Sequence, residues 1–339
     1  MKLTATGSGY YRVYKDGIEV SKHTSEREAI EAAANRELSH PSDVITYKHD
    51  YEVKVEADVV PVPIPPPVPP IPPSTYQRYS ATSYVNAPVK DALTHPQSAS
   101  LVKGMVDQGP DCWGRVWINV NDYTVPNIYI ITDIPKVPVY IENDTWSKVS
   151  KELALGIRLP INAIPSGGLD GSMTIFDWIA NKEYDFWQMK QINGKWTCRN
   201  AGILSDLPTS DGRMPKIDGE WNSATATRLP NFTIRYEDMK KGIIPHVIPF
   251  ACGRSQYGTH VWPADGHDGE YTGVNPIPQG TRFRFHQDIS IDSTWPPLLK
   301  MLVIAVRDYG MVLRDKSNCI TIGLENIQYM APDGVDKAD

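Results

Sequence analysis

The densest run of residues able to do chemistry is Trp262-Pro263-Ala264-Asp265-Gly266-His267-Asp268-Gly269-Glu270. Asp265, His267 and Asp268 stand close enough to hold a divalent metal together, or to let one aspartate orient a histidine base. The same Asp and Gly residues also serve turn geometry, and one loop lacks the distant ligands that a metal needs. No metal site or other cofactor is therefore assigned. His246 precedes VIPFAC, and His260 precedes VWPA. If these segments are paired strands, both histidines reach the 265–270 loop, and Arg254 completes a polar cleft. Carboxylates flanking such a cleft would suit glycan cleavage. The catalytic candidates are thus His246, Asp265, His267 and Asp268.

Aromatic side chains offer a second chemistry. The chain has 9 Trp and 17 Tyr against 6 Phe. Indole and phenol rings join a flat face to a polar handle, which suits stacking on the C–H faces of sugars. Trp178, Trp187 and Trp196 fall on three successive segments that read as strands. They would either line one sheet face or fill the core. Glu183 and Asp185, beside Phe186 and Trp187, would set carboxylates next to an aromatic platform. The ligand-binding candidates are Trp178, Glu183, Asp185, Trp187, Arg254, His260 and Trp262. His49, between Tyr47 and Tyr51, reads as a hydrogen-bonded structural histidine. No GxSxG, HExxH, Walker A or GxGxxG pattern occurs, which leaves the common hydrolase and nucleotide signatures unused.

The 339 residues carry 34 Lys and Arg against 40 Asp and Glu, a net charge of -6. That balance argues against a nucleic-acid binder working through bulk charge. No stretch approaches 18 apolar residues, so no membrane span is expected. The N-terminus MKLTATGSGYYRVYKDG has no apolar core of a signal peptide. The four cysteines have no C-x-x-C spacing and read as small buried apolar side chains, with a disulfide in one of three pairings as the less favoured alternative.

Proline is the compositional outlier at 29 residues. Nine of them fall in PVPIPPPVPPIPP, residues 61–73. Lacking N–H donors and locked in φ, this stretch predicts a polyproline II rod of about 40 Å. A PxxP ligand is the competing reading, but no flanking Arg or Lys supports it. The expected organisation is a small domain over 1–57, a linker over 58–75 and a larger domain over 76–339.

In the small domain, Asp16-Gly17 between Tyr10–Tyr14 and Ile18–Val20 signals a hairpin. Ser25 and Glu28 form a capping box for a helix with Ile30, Ala34 and Leu38 on one face. Residues 45–56 alternate with period 2 and predict one long strand. The unit reads as ββαβ. Beyond the linker, strands are expected at WGRVWINVN, IYIIT, SMTIFDWIA, YDFWQMKQ, KWTCRNAG, HVIPFAC, THVWPA, RFRFHQ, GMVLRD and CITIGLE. Asn181-Lys182 and Asn193-Gly194 would turn the middle three into a meander. Two short helices interrupt the strands. One lies near 236–241 and is closed by Gly242. The other runs from Pro296 to Asp308, with Leu298, Leu299, Leu302, Val303 and Val306 as its apolar face. The fold class is mainly β, a sandwich or barrel with two short helices.

The segments EYDFWQ, IPHVIPFAC, VWPADGHDG, IPQGTRFRF and VRDYGMVLRD occur in that order over about 139–326. Together they resemble an uncharacterised family of mostly secreted actinobacterial and fungal proteins with relatives in phage genomes. The resemblance implies a jelly-roll-like β-sandwich and polysaccharide binding or cleavage. It supplies no catalytic residues. Residues 1–57, through HTSEREAIEAAANRELSHPSDVITYKHDYEVKVE, resemble N-terminal modules of phage structural proteins. A virion protein reaches the outside by assembly and lysis, which agrees with the lack of a signal peptide. The expected function is a phage virion protein, fibre- or decoration-like, located in the virion. Residues 1–57 would attach it to other virion proteins as part of an oligomer, and the sandwich would bind host surface glycan. The alternatives are a glycan hydrolase or lyase, and a decoration protein without a ligand.

Overall fold

The computed structural model describes residues 2–6, 11–15, 18–23, 45–49, 52–56, 78–108, 115–142, 147–214, 216–217 and 219–326. The chain divides into two compact units, Met1–Pro65 and Pro66–Asp339. The proline segment 61–73 and the helix expected after Ser25 lie outside the described residues.

The first unit contains β1 (Lys2–Thr6), β2 (Tyr11–Lys15), β3 (Ile18–His23), β4 (Ile45–His49) and β5 (Glu52–Glu56). The β2–β3 pair is antiparallel, as the Asp16-Gly17 signal predicts. The single long strand expected over 45–56 is two strands. β4 pairs with β2, while β5 pairs with β1. Period 2 persists across the break because alternation reports which face a side chain takes, not which strand it pairs with.

The second unit is mainly β. Its elements begin with α1 (Ser98–Val106), β6 (Val116–Asn119), β7 (Asn127–Ile130), β8 (Lys136–Val137), β9 (Val139–Ile141), α2 (Ser147–Ala154) and β10 (Ile157–Arg158). There follow β11 (Met173–Asp177), β12 (Lys182–Trp187), β13 (Lys190–Ile192), β14 (Lys195–Cys198), β15 (Asn200–Ser205) and α3 (Tyr236–Lys241). The last are β16 (Ile248–Cys252), β17 (Ser255–His260), β18 (Ile277–Gln279), β19 (Arg282–Phe283), α4 (Pro297–Asp308), β20 (Met311–Lys316) and β21 (Ile320–Gly323). The two expected helices, α3 and α4, are joined by α1 and α2, which the sequence reading missed.

Two sheets dominate this unit. One has the order β15-β12-β11-β7, the other β19-β20-β16-β21-β6. The expected meander is interrupted. Gln188 takes φ 53° and ends β12, so β13 and β14 form a separate hairpin before β15 returns to β12. Asn193 and Gly194 take φ 51° and 77°, the two positive values that a type I′ turn requires. Five strand pairs are parallel among the described residues: β7–β11, β9–β14, β16–β20, β17–β18 and β6–β21. A jelly roll is built from antiparallel strands, so these pairs depart from that pattern.

The four-stranded sheet is buried on both faces. Ile175, Tyr184, Phe186 and Ile203 pack on Val149 and Leu153 of α2. On the opposite face, Phe176 and Leu204 share a core with Val312 of β20 and with Tyr79 and Tyr84. Each such side chain contributes about 1.5–3 kcal/mol by leaving water. The five-stranded sheet is covered on one face by α4, whose Met301, Ala305 and Val306 meet Ile248, Phe250, Met311 and Leu313. The buried stripe of α4 differs from the expected one: Leu299 stays 41% exposed, while Met301 and Ala305 are buried.

Several expected strands are short. RFRFHQ contributes only Arg282–Phe283. The strand before Trp262 ends at His260, ahead of Pro263, which cannot donate to a ladder. Cys198 and Cys252 are free and buried, but Cys319 is disulfide-bonded, which corrects the reading of four unpaired cysteines.

Gly104 in α1 shows how tightly this unit closes. A Cβ there would stand 2.2 Å from the carbonyl oxygen of Asn275. Alanine gains about 1 kcal/mol of helix propensity, but forcing backbone apart in a packed interior costs about 1–3 kcal/mol. Gly104→Ala is therefore expected to lower the melting temperature by a few degrees, read by calorimetry. An unchanged or higher value would show that α1 shifts freely.

Candidate functional site

The face of the five-stranded sheet turned away from α4 is only partly covered. Between it, one end of the four-stranded sheet and the 222–233 loop lies a cavity of about 1040 Å³. Its aromatic lining includes Trp117 of β6, Tyr123 and Trp187 at the end of β12. Its polar lining includes Asn119, Asp170, Asn200, Asn231, Asp268, Arg314 and Asp315. The Trp187 indole N–H donates to Asp170 Oδ1 at 3.2 Å, which fixes the ring plane. Trp117 is 51% exposed, so one large apolar face stays open to solvent.

Asp268 is held from two directions by the buried Gln279. Its backbone N–H donates to Gln279 Oε1 at 2.8 Å, and the Gln279 amide donates to its Oδ1. Asp315, near the end of β20, comes within hydrogen-bond reach of the Asp268 carboxyl. Burial, then the charge of Asp268, push the Asp315 carboxyl up to about 7, against the pull of Arg314. The Asp315 side chain is nonetheless 40% exposed, because it lines the cavity while protein packs its other sides. Asp315 therefore keeps its proton up to about pH 7.

A second acid pair lies deeper. Glu183 and Asp185 occupy alternate positions of β12 on the face that meets Phe176 and Leu204, and both are buried. Burial, then the charge of Asp185, push the Glu183 carboxyl well above its usual range. Burial also pushes Asp185 up to about 6, opposed by hydrogen bonds from Thr174 and the Asn231 N–H. Thr174 Oγ1 donates at 2.5 Å, Asn231 N at 2.6 Å, and Tyr79 Oη donates to Glu183 Oε2 at 2.8 Å. Glu183 thus holds the proton and Asp185 the charge. Asn231 also accepts from Arg314 Nη1 at 2.6 Å, which ties this pair to the cavity wall.

Of the expected site residues, Trp187 and Asp268 line the cavity. The others do not. Glu183 and Asp185 are core groups, not a surface platform. Trp178 packs against the core with Tyr129, and Trp196 is buried in the other core, so the three tryptophans do not share one face. His246 is buried beside α3, its Nε2 3.0 Å from Asp238 Oδ2 and its Nδ1 2.8 Å from the Val247 carbonyl. Asp238 also binds Arg235, and these partners hold its carboxyl well below the usual range despite the opposing effect of burial. His246 is a clamp on α3 and not part of the 265–270 loop.

Asp265 pairs with Arg228 Nη2 at 2.6 Å and anchors that loop. His267 stacks on His260 at 6.2 Å, with Tyr257 at its edge. Arg254 donates to the carbonyls of Asp107 and Val274 and to Tyr271 Oη, so it straps three segments together. Trp262 is 63% exposed and touches Tyr84 edge-on, outside the cavity lining. Sequence reading missed Trp117, Asp170, Asn231, Arg314 and Asp315. No spacing signal links them, since strand pairing between distant segments brings them together.

Among the described residues, no group of three or more His, Cys, Asp or Glu could hold a metal. No helix among them is long and apolar enough to cross a membrane. Compared with protein families, curated proteins and solved structures, the chain matches none.

Proposed function

We propose that the protein is a bacteriophage virion structural protein whose larger unit binds host surface glycan in the cavity beside β6 and β12. The observation that carries the binding reading is the lining itself. Trp117, Tyr123 and Trp187 bring ring faces to one open space that also holds carboxylates, amides and a guanidinium. Ring faces serve sugar C–H groups, and the polar atoms serve hydroxyls. The four- and five-stranded sheets, joined through Phe176, Leu204 and Val312, are read as the two layers of a sandwich.

The virion setting rests on the sequence resemblance of residues 1–57 and on the division of the chain into two units. In this reading residues 1–57 attach to other virion proteins and the proline segment is a spacer. Arrayed copies then add avidity to weak single sites. The disulfide at Cys319 fits a protein that works in oxidising surroundings.

The Asp268–Asp315 pair favours a second reading, glycan hydrolysis. Retaining glycosidases hold their two carboxyls about 5–5.5 Å apart and inverting ones about 6.5–9.5 Å, with the sugar between. Here the two carboxyls line the same cavity and interact directly with each other. A pair that interacts directly suits holding one ligand group better than flanking a sugar, which favours binding over cleavage in this reading.

A glycan array probed with the full chain tests the proposal, followed by a turnover assay on each hit. Retention of one polysaccharide class without release of products is expected. An array without hits would contradict the binding reading, and product release would put hydrolysis in its place.

A further inference from the structure

Two carboxyls that interact on one cavity wall repel each other unless a cation neutralises them or one of them is protonated. The charged groups that act on Asp315 are Asp268, Arg314 and Lys316. Neither basic group settles the pair. Arg314 spends one amino group on Asn231 and stands 4.0 Å from Asp315 Oδ2. Lys316 binds Glu270. Gln279 gives the Asp268 carboxylate one neutral donor, its amide N–H. Among the described residues, no basic side chain lies within hydrogen-bond distance of either carboxylate. The same space offers Trp117 and Trp187, whose ring faces attract a positive charge as well as sugar C–H groups.

We propose that the cavity selects saccharides carrying a protonated amino group, with Asp268 and Asp315 as the receptors of that group. The proposal rests on the glycan-binding reading and names the kind of glycan. An ammonium has three N–H donors and can satisfy both carboxylates at once. The charge balances: one positive ligand group enters, and the proton on Asp315 leaves to solvent as that carboxyl ionises. No covalent bond changes. A neutral sugar would leave the proton in place and gain only the rings and amides.

The test is calorimetric titration of the full chain at pH 6.5 with a glucosamine oligosaccharide and with its N-acetylated counterpart. Each is run in two buffers of different ionisation enthalpy. The amino form is expected to bind roughly tenfold tighter, as one charge-assisted contact allows, with a buffer-dependent heat that reports proton release. Asp315→Asn, which mimics the protonated acid, should remove both the preference and the proton release while keeping the N-acetylated form bound. Asp268→Asn should act in the same way, and the melting temperature of each variant checks that it is folded. Equal affinity for the two forms, or a preference that survives in both variants, would overturn the proposal. Binding of the N-acetylated form alone would overturn it and leave the glycan reading standing. If neither form binds, both fall.

Discussion

Replacing Trp187 with alanine is expected to weaken glycan binding by about 2 kcal/mol or more, roughly thirtyfold in Kd. The ring closes one strand of the four-stranded sheet and lines the cavity, with its N–H fixed on Asp170. A ring held in place keeps little freedom to lose on binding, so its contact area goes into affinity. Trp262→Ala is the matched control. That ring is more exposed, at 63%, but lies outside the cavity lining. Its loss should change affinity by less than about 0.5 kcal/mol. Titration of both variants with the strongest array hit separates the two surfaces. If Trp262→Ala removes binding and Trp187→Ala leaves it, the binding surface is the 262–270 loop and not the cavity.

Glu183→Gln is expected to make the larger unit progressively more stable than the unaltered protein as pH rises. The carboxyls of Glu183 and Asp185 both sit above their ordinary values in the folded state, chiefly through burial. Well below pH 4 the folded and unfolded chains hold these protons alike, and the stability tied to them is complete. As pH rises, the unfolded chain releases protons that the folded chain keeps. Stability then falls by about 1.4 kcal/mol per pH unit for each such group. For Asp185 this loss ends near pH 6, where the folded group itself ionises. For Glu183 it continues upward. Glutamine keeps the shape and the donor of the protonated acid but has no proton to hold, so it removes that slope. Denaturant midpoints at pH 5, 6, 7 and 8 give the comparison. Parallel curves for the two proteins would show that Glu183 is ionised in the fold.

What the sequence made legible was local. Asp16-Gly17 and Asn193-Gly194 announced hairpins because few residues other than Gly, Asn and Asp suit the positive φ of such turns. Gly242 closes α3, and a proline opens α4, as their chemistry requires. Alternation located most strands of the larger unit and misled where a strand changes partner, as between β4 and β5. It also could not say whether a face would be covered. Glu183 and Asp185 have the spacing of a solvent-facing row, yet the sheet carries a second layer there and both became core groups. The nearly unbroken apolar run Met173–Phe176 was the available warning, since such runs mark strands buried on both faces.

The site was half legible for the same reason. Asp268 stood out because its own loop is rich in polar residues. Asp315 looked like an ordinary strand end in GMVLRD. Its position against Asp268 follows from the buried Gln279, which holds Asp268, and from the backbone bonds of Gly280 and Thr281 to Leu313 of β20, contacts that only the folded chain creates. His246 and Asp265 drew attention by residue type, but their partners Asp238 and Arg228 give them structural work.

The direct measurement is a crystal structure of the full chain soaked with its strongest array hit. Sugar density in the cavity, against Trp187 and within hydrogen-bond distance of Asp268 or Asp315, is the expected result. An occupied surface at Trp262 or the His260–His267 stack, with the cavity filled only by water, would contradict it.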